Sequence, residues 1–273
     1  MRRLRPSAMR APCRLARHAG IAVLVLVAGL LLGACASAPV HNGSEALADA
    51  RQLVVVTSAD WDATQGTLRR FERDGTGPWR GVGDATPVTL GRNGSAWGIG
   101  LHAPPADDVP GPRKREGDGR APAGLFRIGP AFGYPPSAAT GLAYAAMDAG
   151  DWCIDVSDSP LYNRIVNERD VGPQAVAGST EPMRRDLHAD GDVRYRLGFV
   201  IEHNPQARPG GGSCIFAHLW RKPGETTAGC TAMDDAAMQA LLAWLDASRR
   251  PVFVLLPRAA YVERGAAWRL PPL

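Results

Sequence analysis

A chain of 273 residues, 45% hydrophobic, carries enough apolar content for one large or two small globular domains, which excludes disorder for most of its length. The formal charge of +4 looks basic, but it includes Arg2, Arg3, Arg5, Arg10, Arg14 and Arg17, which precede the apolar run Ile21 to Leu32. Setting those six arginines aside leaves 25 basic against 27 acidic residues, a net of −2, and removes any electrostatic footprint for nucleic acid. The 31 glycines and 23 prolines between short apolar runs favour a turn-rich, mainly β fold over a helical bundle.

Residues 1–34 read as an export signal: an arginine-rich start, then an apolar run of 12 residues, short for crossing a bilayer by itself. Leu32-Gly33-Ala34-Cys35 resembles a bacterial lipobox, which implies that Cys35 is lipidated and becomes the new N-terminus. An ordinary signal cleaved near Ala36 or Ala38 is the alternative. The expected location is the periplasmic side of the cell envelope, with a lipid anchor in the outer membrane. Cys13 and Cys35 fall in this segment, which leaves Cys153, Cys214 and Cys230 in an oxidising compartment. Three cysteines cannot all pair, and Cys230 is the candidate free thiol.

In chain order, residues 35–50 are small and polar and read as a tether, with the folded domain expected over residues 51–258. Gln52 to Ser58 is an apolar, β-branched strand, followed by Gly66 to Arg73 and Trp79 to Val82 as a meander. Thr86 to Gly91 and Ser95 to Leu101 read as strands joined by an Asn93-Gly94 hairpin. Ala103 to Gly124 reads as a surface loop without a phosphate-cradling pattern. Leu125 to Gly129 resumes as strand. Residues 148–192 lack periodicity and are expected to form long loops walling a cleft, with a short helix around Thr180 to His188. Tyr195 to His203 and Ser213 to Trp220 are strands, the second placing Cys214, Phe216, His218 and Trp220 on one face. Pro223-Gly224 suits a type II turn. Asp234 is a candidate N-cap for a helix Asp235 to Ser248 with Met238, Leu241, Leu242 and Leu245 on its apolar face. Val252 to Leu256 is the last strand, and residues 259–273 read as a tail.

A thiol attacks only as thiolate, and at an ordinary pKa near 8.5 few thiols are ionised at neutral pH. A strand histidine followed, after a return turn, by a loop cysteine can place imidazole and sulfur within reach, so that His218 takes the proton of Cys230. The amides of Gly229 and Cys230 are candidates for an oxyanion hole. The alternative is plain packing, His218 beside Phe216 and Trp220, and Cys230 as a small buried residue. A zinc site from Cys230, His218 and Cys214 lacks both Cys-x-x-Cys and His-x-x-x-His spacing, so no metal and no cofactor is expected.

His218, a short loop and Thr227-Ala-Gly-Cys230 before a helix resemble the signature of L,D-transpeptidase catalytic domains, the YkuD-like family, in its short exported lipoprotein form. Lys114 to Phe126, Phe132-Gly-Tyr134, Tyr162-Asn163, Glu202-His-Asn204 and Gly212 to Phe216 also look like segments of that subgroup, so the resemblance covers most of residues 51–257. It implies a β-sandwich followed by a helix after the cysteine loop, and a probable partner class of peptidoglycan stem peptides, handled by a monomer. Cys230 would be the nucleophile, His218 the base, and Gly229 part of the oxyanion hole. Two departures stand out: Ala228 where many members have a second histidine, and Thr231-Ala-Met233 in place of an Ile-Arg-Met segment. His203 and Arg221 are the candidates to supply the missing polarity, with Thr227 as a further substrate contact. Cys153 and Cys214 either form a disulfide or remain two free thiols. The same thioester chemistry serves transpeptidation or hydrolysis, and a wall-binding lipoprotein without catalysis is the non-enzymatic alternative.

Overall fold

The computed structural model describes residues 43–273. The expected signal over residues 1–34, the expected lipidation site Cys35 and the first part of the expected tether lie outside the described residues. The rest of the expected tether is structured instead. A short helix, α1 (Gly43–Ala46), leads into Leu47 and Ala50, both buried in the main core. Gly43 packs so closely that a Cβ there would stand 2.2 Å from Cδ1 of Trp268.

The fold is mainly β. The strands are β1 (Gln52–Ser58), β2 (Gln65–Glu72), β3 (Arg80–Thr89), β4 (Ser95–Trp97), β5 (Ala121–Gly133), β6 (Tyr144–Ala146), β7 (Asp151–Cys153) and β8 (Ile165–Asn167). Two single-turn helices, α2 (Glu168–Val171) and α3 (Pro173–Val176), precede β9 (Glu181–Pro182) and α4 (Arg185–His188). Then come β10 (Leu197–Ile201), β11 (Phe216–Leu219), β12 (Thr231–Met233), α5 (Asp235–Trp244), β13 (Val252–Pro257) and α6 (Arg258–Trp268).

The large sheet runs β10-β11-β12-β3-β2-β1-β13-β5-β4, and β10 also pairs with β5, so its two layers are continuous around one core. β1 lies between antiparallel β2 and parallel β13, with all seven residues buried. Its unbroken Leu53-Val-Val-Val56 run follows from having both faces covered, where a half-exposed strand would alternate. A second, three-stranded sheet, β8-β7-β9, carries Cys153 at the end of β7.

Several local expectations change in the tertiary context. The two strands expected on either side of Asn93-Gly94 do not form a hairpin ladder: only Gly91 and Gly94 bridge, and β4 pairs in parallel with β5. The long expected helix after the cysteine ends at Trp244, because Leu245 is extended and Asp246 caps a separate 3₁₀ turn, Ala247–Arg249. Asp234 does cap α5, accepting from the Ala237 amide at 2.9 Å. The expected C-terminal tail is α6, which buries Ala260, Tyr261 and Trp268, and the Tyr261 hydroxyl donates to the Pro271 carbonyl at 2.8 Å. Its apolar face is sparse in sequence, but two aromatics seven residues apart share one side of a helix.

The charged segment after Lys114 is likewise more than a surface loop. Lys114 is buried, with Nζ 2.5 Å from Asp118 Oδ1, and Asp118 also accepts from the Arg115 and Arg120 amides. Glu116 accepts from the hydroxyls of Tyr162 and Ser213. This ties the loop to the residue next to Cys214.

Candidate active site

β11 and β12 run parallel, with His218 opposite Ala232. Cys230 stands in the bend just before β12, and Tyr195 links it to His218, packing on the imidazole and sharing an apolar cluster with the cysteine. The His218 and Cys230 side chains are both buried. Cys230 belongs to a second apolar cluster with Phe132, Cys153, Met183, Tyr195, Cys214 and Phe216, between the large sheet and the three-stranded one. Tyr195 joins the pair: its ring meets the His218 ring edge-on at 5.3 Å and the Phe216 ring at 5.4 Å.

The backbone sets the protonation of the imidazole. His218 Nδ1 lies 2.8 Å from the Leu219 carbonyl oxygen. A carbonyl only accepts, so Nδ1 carries the proton and Nε2 keeps a lone pair. Burial pushes the His218 pKa down to about 4, against a smaller upward pull from that carbonyl. Burial also pushes the Cys230 thiol up to about 12, reinforced by the Glu181 carboxylate. The resting state is therefore a neutral thiol beside a neutral imidazole. The thiol donates to the Cys214 carbonyl at 3.5 Å, while the Phe216 amide donates to Sγ at 3.3 Å and is placed to steady a thiolate once it forms.

Cys214 is held from three sides. Its sulfur is in a disulfide with Cys153, 61 residues earlier. Its amide donates to Asn163 Oδ1 at 2.9 Å, and the Asn163 side-chain amide donates in turn to the carbonyls of His203 and Asn204. Its backbone is left-handed, φ 54, which a non-glycine residue adopts at a cost of roughly 1 kcal/mol or more. For this reason the strand starts at Phe216, not at Ser213, and the disulfide removes Cys214 as a metal ligand.

The turn before the nucleophile is built by Thr227. Its hydroxyl donates to the Cys230 carbonyl at 2.7 Å and accepts from the Gly229 amide at 3.1 Å. Two expectations change as a result. Thr227 is buried and committed within the turn, so it orders the loop and offers nothing to a substrate. The Gly229 amide is committed to Thr227, which leaves the Cys230 amide as the oxyanion candidate of the two. Gly229 remains necessary for another reason: a Cβ there would stand 3.1 Å from the Arg120 carbonyl oxygen, tighter than an ordinary contact.

His203 is not brought to the pair in a usable form, while Arg221 stands at the exposed edge of the charged group around Asp192 and Arg194, whose fields it feels. His203 is buried, accepting from the Ile99 amide at Nδ1 and facing the Gly211 carbonyl at Nε2, 2.9 Å away. Both ring nitrogens are occupied by backbone. Arg221 is 48% exposed and pairs with Glu225 across the turn closed by the Glu225 amide on the Lys222 carbonyl.

The charge near the pair comes from residues that sequence reasoning missed. Asp192, with a side chain 4% exposed, holds Arg185 at 3.1 Å and Arg194. Burial works against the Asp192 charge, yet hydrogen bonds from Arg194 and Arg185 hold its pKa down at about 2. Arg194 acts electrostatically on both His218 and Cys230, and its side chain is 26% exposed. Glu181 accepts from the Tyr195 hydroxyl and lies 3.7 Å from Arg185. Burial raises the Glu181 pKa, and burial together with the Glu181 charge raises that of Tyr195. Glu181, Arg185 and Asp192 sit in the aperiodic stretch and Arg194 and Tyr195 at the edge of the next expected strand, where no spacing rule links them to residues 218 and 230. Beside Phe216 a cavity of about 230 Å³ is lined by Cys153, Asn163, Ile165, Val200 and Glu202.

A sheet-built scaffold with a histidine of fixed tautomer on one strand and a buried cysteine in the turn leading into its neighbour defines a candidate cysteine–histidine site for acyl chemistry. The chain belongs to the L,D-transpeptidase catalytic domain family, YkuD, whose family model matches residues 59–254. A search of curated proteins gives no match.

Proposed function

We propose that the protein is a cysteine acyltransferase of peptidoglycan stem peptides, working through a thioester on Cys230. The observation that carries this reading is the Nδ1–H donated by His218 to Leu219, which leaves the Nε2 lone pair to accept the thiol proton, with Cys230 just before the strand that pairs with that of His218. Cys230 attacks the carbonyl at the L-centre of the stem diaminopimelate as its proton passes to Nε2. The new carbon–sulfur bond replaces the bond to D-alanine, whose amine leaves with the proton from His218. An amine of a second stem peptide then displaces the sulfur, and the thiol is restored.

The neutral resting pair fits this sequence, because charge develops only when the substrate carbonyl is in place to receive it. Arg194, held by Asp192, is the basic side chain best placed to meet a substrate carboxylate, the task first assigned to His203 or Arg221. The arginine-led apolar run and the lipobox-like Leu32-Gly33-Ala34-Cys35 support a domain at the periplasmic side of the envelope on a lipid anchor. Comparing the muropeptides made by the wild type and by Cys230→Ala, by mass, tests the function. New cross-links that vanish in the variant support transferase action. Shortened stems without cross-links assign hydrolysis instead, and identical products from both proteins overturn the catalytic reading.

A further inference from the structure

The face around α1 lies apart from the site and has a composition of its own. Two cavities flank this helix, one of about 500 Å³ lined by Arg73, Trp79, Arg269 and Pro271, the other of about 420 Å³ lined by Trp97, His102, Arg264 and Trp268. Ser44 belongs to both. Arg73 donates from Nε to the Ala50 carbonyl at 2.8 Å, and its guanidinium covers the Trp79 ring at 4.2 Å. Trp79 donates to the Arg269 carbonyl at 3.1 Å. Burial lowers the Arg73 pKa, and the charges of Arg51 and Arg269 lower it further, so the three guanidiniums feel one another. Nearby Arg80, Arg249, Arg250 and Arg264 are each paired with a carboxylate. Among the described residues Arg51, Arg73 and Arg269 have no such partner.

The chain enters the fold at this face. Seven residues separate Cys35, the expected anchor, from Gly43, and an extended segment of that length reaches at most about 25 Å. Guanidinium groups without counter-charge beside indole rings match the headgroup layer of a bilayer, where aromatic rings settle and basic side chains meet lipid phosphates. Pro272 and the exposed Leu273 continue the apolar rim of the larger cavity.

We propose that this face, Arg51 and Arg269 with Trp79, seats the domain against the phosphate groups of an anionic bilayer surface and so orients an anchored chain, while Arg73, buried and bound to the Leu47, Ala48 and Ala50 carbonyls, backs it from beneath. The proposal rests on the anchored reading above for its setting. The test uses the full chain, as wild type and as Arg51→Gln/Arg269→Gln, with vesicles of phosphatidylcholine alone or with an equal part of phosphatidylglycerol. The six N-terminal arginines raise the ratio of the anionic to the neutral partition coefficient alike in wild type and variant, so the fall between the two proteins carries the test. That ratio should exceed one and fall roughly fivefold for each arginine removed. Hydrogen exchange should slow at Ser44 to Arg51 and Gly77 to Arg80 on the anionic vesicles alone, with circular dichroism confirming that the variant is folded. Equal partition, or a ratio the double variant does not change, overturns the proposal. So does protection of the same segments without lipid, which would mark the chain's own N-terminal segment as the occupant, or protection by soluble peptidoglycan fragments. A chain that ignores neutral vesicles yet shows the anionic preference sinks the anchor and leaves this surface standing.

Discussion

Acidification from pH 7 to pH 5 should remove a large part of the stability of this domain, through three histidines. His102, His203 and His218 are all buried, and burial pushes each pKa down to about 4. In the unfolded chain each returns to about 6.5. The folded value is the lower one, so the unfolded state binds protons that the folded state refuses. The stabilisation is present above pH 6.5 and is lost as the pH falls toward 4. By proton linkage the loss between pH 7 and pH 5 is about 2 kcal/mol per histidine and about 6 kcal/mol for all three. That is comparable with the whole stability of an ordinary domain, about 5–15 kcal/mol. Glu181 works in the opposite direction, since burial raises its pKa, but it is one group against three. Urea denaturation followed by tryptophan fluorescence at pH 7, 6 and 5 measures the slope, and histidine NMR titration tests the three sites directly. A midpoint that does not move between pH 7 and pH 5, or three rings that titrate near 6.5, would refute the reasoning. One consequence concerns function: His218 stays neutral and competent as a base down to the pH at which the fold itself gives way.

Four further outcomes are expected. Alkylation of Cys230 by iodoacetamide should accelerate about tenfold per pH unit up to pH 10 without levelling, since burial holds the thiol at about 12; a plateau below pH 8 would reveal a preformed thiolate–imidazolium pair. Replacing Cys153 and Cys214 together by serine should lower the unfolding free energy by about 4 kcal/mol through the 61-residue loop it releases, and a loss below about 1 kcal/mol in urea titrations would contradict this. Thr227→Val keeps the shape and removes both hydroxyl bonds of the nucleophile turn, so stability should fall by about 1–3 kcal/mol with loss of turnover, and Thr227→Ser should restore both. Arg194→Gln should raise KM for a stem peptide more than it lowers kcat, and an unchanged KM would remove Arg194 from substrate binding.

Sequence by itself determined the elements whose burial follows from local pattern, and the pair at the centre of the site. The Leu53-Val-Val-Val56 run, the helix capped by Asp234 and the spacing from His218 to Cys230 are all visible along the chain. Their physical causes act over a few residues, through strand alternation, capping and turn chemistry. Tertiary structure alone decided what surrounds the pair. Glu181 and Asp192 reach it from a stretch without periodicity, Arg194 and Tyr195 from the start of the strand that follows, and Asn163 and Glu116 brace Cys214 from segments recognisable in sequence whose task was not. It also withdrew His203 and Thr227 from substrate contact, because a polar side chain that is buried must satisfy its hydrogen bonds wherever the fold offers them, and here backbone groups claimed them first. Which partner a side chain takes depends on residues brought close by closure of the sheet, and no local pattern records that choice.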